Sequence, residues 1–167
     1  NGVSSPTKSW DQYYSPSRIN SEVIPMNGST VKIHKYLVWY NRSGQMMLAH
    51  AFLPPGYPAN MPSGGYPAII SVHGGGWRGG FIEKLQRYNT SIAESNEKYI
   101  VLATAYRLTS YGYTSPSQQN DIDDFISLVK NTASNFKINS TKIGLFGESS
   151  GGHIINLLGS TKNLGCI

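Results

Sequence analysis

Two glycine-rich segments hold the residues of this sequence best suited to covalent chemistry. The first is Gly147-Glu148-Ser149-Ser150-Gly151. It fits the pattern G-x-S-x-G, which a chain of this length and this Gly and Ser content produces about 0.24 times by chance, so the bare match says little. Its setting says more. A short apolar run at 142–146 leads into the segment and an apolar helical stretch from Gly151 leads out, which places Ser149 on a sharp strand-to-helix turn. Such a turn lifts the serine hydroxyl clear of the backbone, and it needs small residues at Gly147 and Gly151, where side chains would collide; Gly152 extends that requirement. The N–H groups and positive dipole end of the following helix would then face any anion formed at Ser149.

The second segment is His73-Gly74-Gly75-Gly76-Trp77, directly after the apolar run 68–72. Three glycines in a row let backbone N–H groups turn into a site with no side chain in the way. Donors of that kind stabilise a tetrahedral oxyanion, and losing one costs about 3–4 kcal/mol of barrier. The expected donors are the N–H groups of Gly75, Gly76 and Ser150, with Gly74 shaping the turn and His73 holding the loop by hydrogen bonding. His153, four residues beyond Ser149, is expected to pack, and Arg107 and Trp77 to form scaffold around the loop. Asp121, Asp123 and Asp124 are read as capping and solvating groups.

These segments need elements to position them. Residues 31–40 and 45–53 read as an antiparallel hairpin about the four-residue turn Asn41-Arg42-Ser43-Gly44, which puts His34 and His50 far from the serine. From residue 66 onward short apolar runs alternate with helical periods, the pattern of a parallel sheet with helical crossovers: strands at 68–72, 99–105 and 142–146, helices at 83–95, from Ser115, and at 151–158. Ser115, Pro116 and Gln118 form a capping-box pattern, and Ile122, Phe125, Ile126 and Val129 recur at helical spacing. The last helix is apolar on so much of its circumference that burial on nearly all sides is expected. Residues 1–28, rich in Ser, Pro and Asn, read as an irregular arm pinned by Trp10, Tyr13 and Tyr14, and 29–167 as the body.

Composition narrows the classes. A chain of 167 residues, 39% hydrophobic and 14% charged, suits one folded domain. Its net charge of +5 comes from 14 Lys and Arg scattered without a run, which argues against a nucleic-acid partner, and no apolar stretch approaches a membrane span. The chain opens at Asn1 without Met or an apolar leader, so a targeting segment is either removed or foreign to it. Four Asn-x-Ser/Thr sequons, at Asn27, Asn41, Asn89 and Asn139, exceed the roughly two expected by chance and lean toward a secreted glycoprotein, with Asn41 in its turn the favoured acceptor. The single Cys166 is a free thiol or half of a disulfide to a partner.

Taken together, His73 to Trp77, Tyr106-Arg107-Leu108, Pro116 with Asp121, and Gly147 to Gly152 resemble, in order and rough spacing over residues 30–160, the hormone-sensitive-lipase-like and feruloyl/acetyl-esterase-like branch of the α/β-hydrolases. The resemblance implies the N-terminal half of a three-layer α/β fold and a serine hydrolase of short-acyl or carbohydrate-linked esters, without metal or organic cofactor. It also implies a structural role for Glu148. Its catalytic order, serine then acid then histidine, finds no Asp or Glu after Ser149 here and only His153, so acid and base are expected from a second chain or from C-terminal strands absent from these residues. The alternative is a non-catalytic interaction protein on a hydrolase-derived half fold. The run 142–146 would in either case be an apolar sheet edge in need of a partner, and no stable free monomer is expected.

Overall fold

A computed structural model of the protein describes residues 20–23, 29–162 and 165–166, with side chains over 29–160. One sheet of seven strands runs in the order β1-β2-β3-β5-β4-β6-β7. β1 (Asn20–Val23), β2 (Lys32–Tyr40) and β3 (Met46–Leu53) are antiparallel neighbours, and β3 lies antiparallel to β5 (Ile100–Thr104). β4 (Tyr66–Val72), β5, β6 (Ile138–Gly147) and β7 (Gly165–Cys166) run parallel. The expected hairpin is therefore β2–β3, and the expected crossovers build the parallel part.

Helices cover both faces, which is why β4 and β5 are continuous apolar runs rather than alternating ones. On one face Ala68, Ile70 and Val72 of β4 and Ile100 and Leu102 of β5 pack with Ile122, Phe125 and Ile126 of α2 (Ser117–Asn131) and Ile154 and Ile155 of α3 (Ser150–Lys162). On the other, Ile69, Val101 and Ala103 meet Ala93 of α1 (Gln86–Glu94) and Ile82 of the 3-10 turn before it. β2 serves both layers through a bulge. Between the pairs His34↔Ala51 and Leu37↔Ala49 it carries one extra residue, with Tyr36 at φ 60°. The extra residue reverses which face odd positions point to: Val31 and Ile33 join the α1 layer, Leu37 and Trp39 the α2–α3 layer.

Four expectations change. Part of the N-terminal arm is regular: β1 adds an edge strand to β2, while Trp10, Tyr13 and Tyr14 lie outside the described residues. The capping box does not form. The helix starts at Ser117 after Pro116, the Ser117 N–H donates to Thr114 O, and the Gln118 amide turns to Tyr113 O at 3.2 Å instead of back to Ser115. α3 is only half buried: Ile154 and Ile155 are enclosed, but Leu157 is 45% exposed, since α2 and the sheet cover a single side of it. The run 142–146 is not a bare edge, because β7 pairs with Gly144 and Leu145 of β6.

Candidate active site

Ser149 sits between the end of β6 and the first residue of α3, exposed, at φ 53°. A left-handed backbone at a non-glycine residue is strained, and here packing enforces it. A Cβ on Gly147 would come within 2.7 Å of Gly151 C and Gly152 N, and one on Gly151 would fall 2.6 Å from His73 O and still nearer Val72 O. Turn and helix start are therefore pressed onto the end of β4 with no room for side chains. The same packing joins the two glycine segments, since a Cβ on Gly74 would lie 3.1 Å from the Ser149 Cβ.

The loop after β4 turns on Gly75 (φ 139°) and Gly76 (φ 61°), and Gly75 O accepts the N–H groups of Arg78 (3.2 Å) and Gly79 (3.0 Å). The Gly74 N–H is engaged by Glu148 Oε2 at 3.3 Å, whereas the N–H groups of Gly75 and Gly76 have no partner among the described residues. The N–H of Ser150 is the first of α3. Of the glycine loop, it is Gly74 that lies against Ser149.

His73 is buried and holds this loop from behind. Its Nδ1 lies 2.9 Å from Gly74 O, and a carbonyl only accepts, so that nitrogen carries the proton. Burial pushes the His73 pKa down, keeping the ring neutral. Tyr106 stacks on the imidazole (4.5 Å between centroids) and donates its hydroxyl to His73 O at 2.9 Å; burial raises its pKa, so it remains a donor. On the solvent side, His153 packs edge-on against Trp77 at 5.4 Å and gives its N–H to Ser149 O. Trp77 O accepts the Thr109 N–H, which ties the loop to the segment after β5. Among the described residues, no group of three His, Cys, Asp or Glu side chains is placed to hold a metal ion.

Behind the loop lies a network that sequence reasoning missed. The reading of Asp121, Asp123 and Asp124 as capping and solvating groups is corrected: the Asp121 carboxylate, 0% exposed, accepts Arg107 N–H (2.8 Å), Arg107 Nε (2.9 Å) and Asn41 Nδ2 (2.9 Å). Asp124 takes Arg42 N–H (2.7 Å) and Nε (2.9 Å), and Asp123 takes Arg42 NH2 (2.9 Å). The interaction with Asp124 raises the Arg42 pKa. Arg107, read as scaffold, is thus the partly buried ion-pair partner of the buried Asp121 and fixes the segment carrying Tyr106. His34 and His50 lie in the β2–β3 hairpin, and burial together with Lys32 lowers the His34 pKa.

The sequons divide sharply. Asn41, the favoured glycan acceptor, is 1% exposed, with Nδ2 on Asp121 and Oδ1 accepting the N–H groups of Ser43 and Gln45, so it shapes the turn and leaves no opening for a sugar. Asn89 is buried inside α1. Asn139 is partly exposed in β6, and Asn27 lies outside the described residues.

A sheet of this order with helices on both faces, a serine on the strand-to-helix turn and a glycine loop against it define an α/β-hydrolase fold. The chain belongs to the BD-FAE family, whose model matches residues 57–166. A relative described as "AB hydrolase superfamily protein C1039.03", from Schizosaccharomyces pombe, is 30% identical over 116 residues, or 65% of this chain and 33% of that protein. Among solved structures, an esterase of Pyrobaculum calidifontis superposes with a TM-score of 0.65 at 20% identity, covering 80% of this chain and 41% of the other. An ester hydrolase from the metagenome of Lake Arreo superposes at 0.68 with 17% identity, covering 92% and 44%. The chain therefore spans a third of the curated relative and about two-fifths of these structures.

Proposed function

We propose that this protein is a serine carboxylic ester hydrolase in which Ser149 is the nucleophile. The Ser149 hydroxyl attacks the ester carbonyl, the carbonyl oxygen becomes an oxyanion bound by the N–H groups of Gly75, Gly76 and Ser150, and the alcohol leaves. Water then releases the acid from the acyl-serine by the same route. The observation that carries this reading is the exposed Ser149 at φ 53°, held by glycine packing against Gly74. A serine serving only to start a helix needs neither the left-handed backbone nor the contact with a second glycine loop.

The base and acid of the triad come, in this reading, from outside residues 1–167. His73 has committed Nδ1 to Gly74 O and is buried, His153 is packed on Trp77, and His34 and His50 belong to the hairpin. Short-acyl or carbohydrate-linked esters are the proposed substrates, on the strength of the family resemblance. The test is hydrolysis of a short-acyl aryl ester by the protein together with the chain or segment that supplies acid and base, and by the same assembly carrying Ser149→Ala. A fall of about 10³-fold or more in kcat/KM supports the reading. Retained activity in Ser149→Ala refutes it.

A further inference from the structure

The N–H groups of Gly75 and Gly76 can serve Ser149 only if the loop is held at a fixed distance from the nucleophile turn. Tyr106 and His73 secure its buried side. We propose that Glu148 secures the side facing the nucleophile turn: it is a positioning residue whose carboxylate ties the loop to that turn, with Lys84 steadying the carboxylate. This deepens the ester-hydrolase reading above and rests on it for its kinetic consequence.

Three observations meet at one oxygen. Glu148 Oε2 accepts the Gly74 N–H at 3.3 Å, it lies 3.1 Å from Lys84 Nζ, and it is packed so closely that a Cβ on Gly74 would be 3.0 Å away. The carboxylate reaches out from a fixed base, because the Glu148 N–H donates to Val72 O and Glu148 O accepts the Gly151 N–H at 2.9 Å. Lys84 comes from the 3-10 turn before α1, so a third segment joins the other two. Engaging the Gly74 N–H also decides which donors remain open, namely those of Gly75 and Gly76.

A carboxylate beside a nucleophile could instead move protons. Replacement by Gln separates the two roles, since the carboxamide oxygen still accepts the Gly74 N–H while the acid–base chemistry is gone. The ion pair with Lys84 has both side chains a third or more exposed, so its loss alone matters little. Glu148 lies outside both core clusters, and its substitution leaves the packing of the sheet untouched.

The experiment compares the protein with Glu148→Gln, Glu148→Ala and Lys84→Ala by steady-state hydrolysis of a short-acyl aryl ester, and by amide hydrogen exchange over residues 73–80. Glu148→Ala is expected to lower kcat about tenfold or more with KM nearly unchanged, because small misplacements at a reacting centre cost rate rather than binding. It is also expected to speed exchange at Gly74. Glu148→Gln should recover most of both losses, and Lys84→Ala should show a smaller fall. An unaltered exchange rate in Glu148→Ala overturns the proposal, as does a Gln variant as impaired as the Ala variant. If the parent protein shows no hydrolysis that depends on Ser149, the ester-hydrolase reading fails, while the exchange measurement still decides whether Glu148 holds the loop.

Discussion

Replacing Asp121 and Asp123 in turn by Ala separates two carboxylates that look alike on one helix. Asp121 is fully enclosed, and its Arg107 partner keeps only 12% of its side chain exposed, with NH2 2.9 Å from Asp121 Oδ1. Asp121→Ala leaves that largely enclosed guanidinium without a counter-charge and strips acceptors from the Arg107 backbone N–H and from Asn41. Breaking a buried pair from one side costs about 3–5 kcal/mol. For a chain of this size that is roughly 6–20 °C in thermal midpoint, at about 2–4 °C per kcal/mol. Asp123 is a different case. Its Arg42 partner is 42% exposed and keeps Asp124 after the change, so Asp123→Ala should cost at most about 1 kcal/mol. Melting both variants beside the parent by circular dichroism reads the difference. Equal midpoints for the two variants would show that the Asp121 network is an ordinary surface feature, and would refute the reasoning.

Further outcomes follow from the same contacts. Gly151→Ala pushes a methyl group into the Val72 and His73 carbonyls, so a loss of about 1–3 kcal/mol and a fall in Ser149 reactivity are expected, while Gly76→Ala, with open space around it, pays only for its left-handed backbone, about 1–2 kcal/mol; melting midpoints that fail to rank them so contradict the packing. Both His73 and His34 have pKa values held below the ordinary 6.5 mainly by burial, so the unfolded chain takes up protons first as pH falls. Stability is therefore full above about pH 7 and is lost as pH drops below about 6.5, and a urea midpoint at about pH 5.5 equal to that at about pH 7.5 would be inconsistent with it. If the protein is secreted, as we propose from its sequons, glycans belong at Asn139 or Asn27 and not at the buried Asn41 or Asn89; peptide mapping after glycosidase treatment distinguishes these.

What the sequence disclosed and what it concealed have physical causes. β4 and β5 stood out because strands buried on both faces are written as unbroken apolar runs, and Gly147, Gly151, Gly74 and Gly75 because close backbone approach leaves no room for a side chain; Gly76 owes its place to a left-handed backbone in open space. β1 was hidden because Asn-Ser-Glu-Val carries no strand pattern, and its place comes entirely from pairing with β2. The β2 bulge was equally invisible, since Val31, Ile33, Leu37 and Trp39 share one parity in sequence yet face opposite layers in space. Asn41 and Arg42 looked like exposed turn residues, because their Asp partners lie some eighty residues away on α2 and local composition carries no trace of such a pairing. A long separation in sequence likewise concealed Lys84 beside Glu148.

The central proposal is that Ser149, completed by a base from outside residues 1–167, is an activated nucleophile served by the N–H groups of Gly75, Gly76 and Ser150. Labelling the protein, together with the chain or segment that supplies its base, with a fluorophosphonate and mapping the adduct by peptide mass spectrometry tests it most directly. A single adduct on Ser149, absent from Ser149→Ala, is the predicted result. No adduct, or one that persists elsewhere when Ser149 is replaced, would contradict it.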